Sequence, residues 1–148
     1  MVNHAAKNIL LVDDYQSFLK ALANELKNSN NNHFSILTAE NGDRALSLLG
    51  SVHVDVIVTD LRMPAMNGFE LISHVKRSYP CIPIIVVSSF LYPEQEAELR
   101  DLGVSQYMDK FSLTVHALEE LIFESCRGVE TPPFSCSPLN PSLDKRGD

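Results

Sequence analysis

Four short runs of this chain end in the same way, stopping abruptly at side chains that can do chemistry. Ile9-Leu10-Leu11-Val12 stops at Asp13-Asp14, and Val54–Thr59 stops at Asp60. Ile84-Ile85-Val86-Val87 stops at Ser88-Ser89, and Gln106-Tyr107-Met108 stops at Asp109-Lys110. An uninterrupted apolar run of this length, rich in Val and Ile, marks a strand covered on both faces, as in the middle of a parallel sheet. Parallel strands put their carboxyl ends on one edge, and open α/β sheets bind ligands just beyond that edge.

The segments between the runs have helical spacing. Tyr15–Lys27 places Phe18, Leu19, Leu22 and Leu26 near one face. Further helices are predicted over Asp43–Leu49, Gly68–Arg77, Glu94–Leu102 and Leu113–Ser125, and His33–Ala39 reads as another strand. Asp14 suits the N-cap of the first helix. Asn41-Gly42 and Asn67-Gly68 read as turns, while Pro93 opens the fourth helix and Gly103 closes it. Five alternations of strand and helix predict an α/β fold, a parallel sheet with helices on both faces. After Cys126 the composition changes. Pro132, Pro133, Pro138 and Pro141 interleave with serines, so residues 7–126 form the expected domain and 127–148 a flexible Pro/Ser-rich tail.

Charge narrows the function. Twelve basic against 19 acidic residues leave a net charge of -7, which argues against nucleic acid and anionic membranes as direct partners. No apolar stretch approaches a membrane span, and the run beginning at Ile9 is too short for a signal peptide. A cytoplasmic location is expected. Cys81, Cys126 and Cys136 show no CxxC or Cys/His spacing and read as thiols.

Taken singly, Asp60 is an ordinary strand-end residue, Lys110 a surface ion-pair partner, Ser88 a strand-end hydroxyl and Tyr107 half-buried packing. The ordered set is more specific. Over residues 7–125 it resembles a response-regulator receiver domain of the chemotaxis-regulator type, the phosphoacceptor half of two-component signalling. Asp13-Asp14 matches the acidic pair after the first strand. Asp60-Leu-Arg-Met-Pro-Ala-Met-Asn-Gly68 resembles the phosphoacceptor motif. Ser88, Tyr107 and Lys110 fall at the family's Ser/Thr, aromatic and lysine positions.

The resemblance implies a doubly wound, flavodoxin-like (βα)5 domain with strand order 2-1-3-4-5. Asp60 would be the phosphoacceptor, with Lys110 and Ser88 on the phosphoryl oxygens. Mg2+ would be bound directly by Asp14, Asp60 and the Arg62 backbone carbonyl, and through water by Asp13. Ser88 and Tyr107 would form the switch. The implied donor is a sensor histidine kinase or phosphotransfer protein, the output an unidentified protein target. The chain would be a monomer or weak dimer, and no enzyme beyond its own phosphorylation and dephosphorylation.

Two positions depart from the family. Phe111 follows Lys110 where a proline, often cis, is usual; a cis bond before Phe would cost about 3–4 kcal/mol. Ser89 stands where a small residue, mostly Ala, is usual, and bulky Phe90 follows it. Arg62 and Phe90 are placed to flank the site and restrict hydrolytic water. The main alternative is a receiver-like interaction module that works without phosphorylation. A haloacid-dehalogenase-type phosphatase would carry a second Asp where Arg62 stands, and a flavodoxin-like cofactor binder would not place Asp13-Asp14 against a phosphate.

Overall fold

The computed structural model of the chain describes residues 6–29, 33–104 and 106–130. Strand and helix alternate as β1 (Lys7–Val12), α1 (Gln16–Ser29), β2 (Phe34–Ala39), α2 (Gly42–Ser51) and β3 (Val56–Thr59). There follow α3 (Gly68–Ser78), β4 (Ile84–Ser88), α4 (Pro93–Asp101), β5 (Gln106–Asp109), a 3₁₀ turn (Lys110–Ser112) and α5 (Val115–Glu130). Every pairing is parallel and the order is β2-β1-β3-β4-β5, as the resemblance implied. The apolar runs take the inner places. β3 and β4 are buried throughout, whereas the edge strands β2 and β5 are partly exposed.

Alternation along the strands divides the core in two. Leu10, Val12, Ile57, Ile84 and Val86 face one side, where Ala45 and Leu49 of α2, Leu71, Ile72 and Val75 of α3, and Leu99 of α4 cover them. Ile9, Leu11, Val56, Val58, Ile85 and Val87 face the other, under Leu19, Leu22 and Leu26 of α1 and Leu118 and Ile122 of α5. Among the described residues no helix is long and apolar enough to cross a membrane.

Several local readings change. Asn41 and Asn67 are helix caps rather than turn residues: Asn41 Oδ1 accepts from Arg44 N–H at 2.8 Å, and Asn67 Oδ1 from Glu70 N–H at 3.0 Å. Glu70 returns the bond to Asn67 N–H at 3.0 Å, completing a capping box. An Asn-Gly pair serves either purpose, so its residue types alone do not separate them. Asp14 caps no backbone N–H among the described residues; Asp13 Oδ1 instead accepts from Tyr15 N–H at 2.9 Å. α5 continues to Glu130, and the remainder of the expected tail, residues 131–148, lies outside the described residues. Cys81 is disulfide-bonded rather than a thiol; sequence spacing does not tell which cysteines meet in space. Cys136 lies outside the described residues.

Candidate functional site

Strand register assembles the site. Val12 pairs with Thr59, and Thr59 with Val86. The residues after Val12 and Thr59 therefore leave the sheet side by side, and Asp60 N–H donates to the Val12 carbonyl at 3.0 Å. Asp13 and Asp60 are buried, with 3% and 6% exposure, while Asp14 is exposed. One carboxylate oxygen from each of the three lies within 4.8 Å of the others.

Lys110 enters from the end of β5. Its Nζ is 2.8 Å from Asp13 Oδ2 and 3.4 Å from Asp60 Oδ2. Asp109 starts the 3₁₀ turn that aims it, accepting from Phe111 N–H at 2.9 Å. Among the described residues no peptide bond is cis, so Lys110 reaches both carboxylates across a trans bond to Phe111. Phe111 itself points outward, 75% exposed, with its ring 5.6 Å from that of Phe90.

The other oxygens are also engaged. Asp60 Oδ1 accepts from Leu61 N–H at 2.8 Å, and Asp13 Oδ1 holds Tyr15 as above. Burial raises the Asp13 pKa above its ordinary value. Hydrogen bonds from Lys110 and Tyr15 pull it down, the neighbouring Asp60 charge pushes it up again, and the net direction is up. For Lys110, burial lowers the pKa, but the Asp13 hydrogen bond and the Asp60 and Asp13 charges outweigh it. The ammonium is held above its ordinary value.

Ser88 ends β4 opposite Asp109. It is 1% exposed, and its Oγ has no hydrogen-bond partner among the described residues. Tyr107 pairs with Val86, which shares its face of β4 with Ser88. The tyrosine is half-buried and packs against the α2–α4 core along with Leu91 and Leu102. The two expected switch residues thus stand on one face of adjacent strands.

Arg62 takes a part the sequence did not indicate. Its guanidinium donates to the Ser89 carbonyl, and to the Phe90 carbonyl at 2.8 Å, and lies 6.0 Å from the centre of the Tyr92 ring. It ties the β3–α3 loop to the β4–α4 loop, where Phe90 has φ +53°. Phe18 was also missed as a site residue. Its ring centre lies 4.6 Å from Lys110 Nζ, although its spacing gave only an inward helical face. Position was the available signal, since Phe18 lies one helical turn beyond Asp14.

Three clustered carboxylates offer the hard oxygen donors that Mg2+ prefers. A doubly wound sheet that gathers acids, a lysine and a buried hydroxyl at one edge defines a class, the flavodoxin-like domains with carboxylate chemistry at their strand ends. Residues 9–122 match the response regulator receiver domain, and the chain belongs to that family.

Its relatives agree. The chain is 33% identical over 109 residues to the transcriptional regulatory protein GlrR of Escherichia coli K12, covering 74% of this chain and 24% of that protein. It is 34% identical over 109 residues to the two-component response regulator ORR11 of Oryza sativa, covering 72% of each. It thus spans about a quarter of the former, a length of 24%. Among solved structures, chemotaxis protein CheY4 of Vibrio cholerae superposes with a TM-score of 0.75 at 26% identity, covering 82% of this chain and 99% of that one. A receiver protein from Pseudomonas putida gives 0.74 at 28% identity, covering 81% and 98%. Receiver domains are phosphoacceptor modules of two-component phosphorelays, signalling units rather than enzymes in general. They bind Mg2+ at the acidic pocket and interact with histidine kinases or phosphotransfer proteins.

Proposed function

We propose that Asp60 accepts a phosphoryl group from a cytoplasmic histidine kinase or phosphotransfer protein, and that the modification remakes the surface around β4, α4 and β5 for a protein target. A carboxylate oxygen of Asp60 attacks phosphorus as the bond to the donor imidazole breaks, and the imidazole nitrogen keeps the electron pair. The clustered Asp14 and Asp60 would contact Mg2+ directly, with the Arg62 carbonyl added by the family resemblance. Asp13, whose two oxygens already accept from Tyr15 and Lys110, suits contact through water. The ion would supply positive charge against the repulsion between the carboxylate and the phosphoryl oxygens. Lys110 stands ready for one phosphoryl oxygen and Ser88 for another. Autophosphorylation and loss of the phosphoryl group are the only reactions this reading gives the chain.

The observation that carries the reading is Ser88. A buried hydroxyl without a partner costs about 1–3 kcal/mol, and here it ends the strand next to Asp60. A phosphoryl oxygen at the site would give it an acceptor. Incubation with Mg2+ and acetyl phosphate should add one phosphoryl group, seen by intact mass, and Asp60→Asn should abolish it. Incorporation at the wild-type level in that variant would assign the acceptor elsewhere.

A further inference from the structure

We propose that Phe18 is a positioning residue for phosphoryl transfer, its ring holding the Lys110 ammonium in place beside Asp60; this rests on Asp60 being the phosphoacceptor. Lys110 has a long stem, and ordering such a side chain costs about 2 kcal/mol of rotamer entropy. The residue after it is Phe111, which points to solvent and contributes nothing to the pocket. Two kinds of contact hold the ammonium. Asp13 and Asp60 hold it by charge at 2.8 and 3.4 Å. Phe18 holds it through the face of a neutral ring at 4.6 Å.

These contacts respond differently to phosphorylation. The carboxylate oxygens that hold Lys110 belong to the residues proposed to serve the cation and the phosphoryl group, so their hold weakens as the reaction proceeds. The ring competes for neither. It leaves all of the ammonium's charge for the incoming phosphoryl oxygen. Its position is fixed from below: Phe18 packs with the core that α1 shares with α5, and with Asp13, Asp60 and Leu19 it lines one narrow cavity. The Lys110 side chain is only 17% exposed, and desolvation strengthens a cation–ring contact.

The test is a double-mutant cycle on the rate of phosphorylation by acetyl phosphate at saturating Mg2+. Phe18→Leu keeps the apolar bulk and removes the ring face; Phe18→Tyr keeps the face. Phe18→Leu should slow phosphorylation by about 2- to 30-fold, the range a cation–ring contact spans, and Phe18→Tyr should restore most of the rate. In a Lys110→Met background, Phe18→Leu should add nothing, because there is no ammonium left to position. Mg2+ affinity, measured with the metal alone, should not change between wild type and Phe18→Leu. A Phe18→Leu effect that persists in full without Lys110, or that Phe18→Tyr fails to rescue, would reduce Phe18 to core packing and overturn the proposal. Wild-type protein that takes up no phosphoryl group would instead overturn the reading of Asp60.

Discussion

Gly68 lies directly against the backbone of Asp60. A methyl group on Gly68 would overlap the Asp60 carbonyl oxygen and come within 2.6 Å of Leu61 Cα. Gly68 N–H donates to the Leu61 carbonyl at 2.8 Å, so the start of α3 is clamped to the residue after the phosphoacceptor. The partner atoms are backbone and have nowhere to go. Gly42 makes a useful contrast: the three atoms nearest an added methyl all belong to the Met66 side chain, its sulfur first at 2.5 Å, and a flexible thioether can turn aside.

Gly68→Ala is therefore expected to destabilise the domain by about 1–3 kcal/mol, in the manner of overpacking, and also to slow phosphorylation of Asp60. Gly42→Ala should do neither to the same extent. Urea midpoints and acetyl phosphate kinetics on both variants check this. Equal behaviour of the two would mean that the β3–α3 loop yields more readily than its packing indicates.

The Arg62 clasp predicts a local effect. Two hydrogen bonds to successive carbonyls need a planar fork, which lysine lacks. Arg62→Lys should speed hydrogen exchange of the Leu91 and Gln95 amides about 3- to 10-fold, since losing roughly 1 kcal/mol of local restraint shifts an opening equilibrium by that much. Amides in β1 should not respond. Unchanged exchange in the β4–α4 loop would show that Arg62 only rests on it.

Burial of Asp13 gives a pH dependence with a definite sign. Its folded-state pKa is raised above the ordinary 3.8, so the folded protein binds more protons at this group than the unfolded chain does between the two values. Stability from this group falls as pH rises from about 4 through the raised pKa. In Mg2+-free solution, Asp13→Asn should gain stability relative to wild type as pH rises from 4 to 7. Added Mg2+ should narrow the gap, because wild type binds it better. Urea melts across that range, with and without chelator, provide the measurement; a gap that shrinks with rising pH would contradict the sign.

Most of the frame was readable because apolar runs of the right length have few places to go. Ile9–Val12 and Ile84–Val87 fit only inner strands, and once these are parallel, Asp13, Asp60 and Ser88 must reach one edge. Strand order came from the family resemblance, since alternation alone fixes no order. What escaped depended on side-chain direction across elements distant in sequence. Nothing in the local pattern says that Arg62 bends to the Ser89 and Phe90 carbonyls, or that Phe18 turns its ring to Lys110 rather than only into the core. The caps at Asn41 and Asn67 escaped for another reason, because their residue types are shared with turns.

The last prediction separates folding from signalling at a single atom. Ser88 Oγ is buried with no partner among the described residues, which makes it a cost to the resting fold. Ser88→Ala should therefore leave the unmodified domain as stable as wild type or more so by about 1 kcal/mol, and Asp60 should still take up a phosphoryl group. The response should differ. In wild type, a phosphoryl oxygen would offer Ser88 a charge-assisted hydrogen bond, and movement of the hydroxyl would free space on the face it shares with Tyr107. Tyr107, half-buried beside Leu91 and Leu102, is then expected to turn inward and change the surface presented by the β4–α4 loop and α4. Coupling of this kind is typically about 1–3 kcal/mol, or roughly 5- to 150-fold in partner affinity. In Ser88→Ala most of that change should vanish, along with the phosphorylation-dependent chemical shift of the Tyr107 ring. If both survive in full, the signal does not pass through Ser88, and Lys110 with its 3₁₀ turn becomes the route to examine.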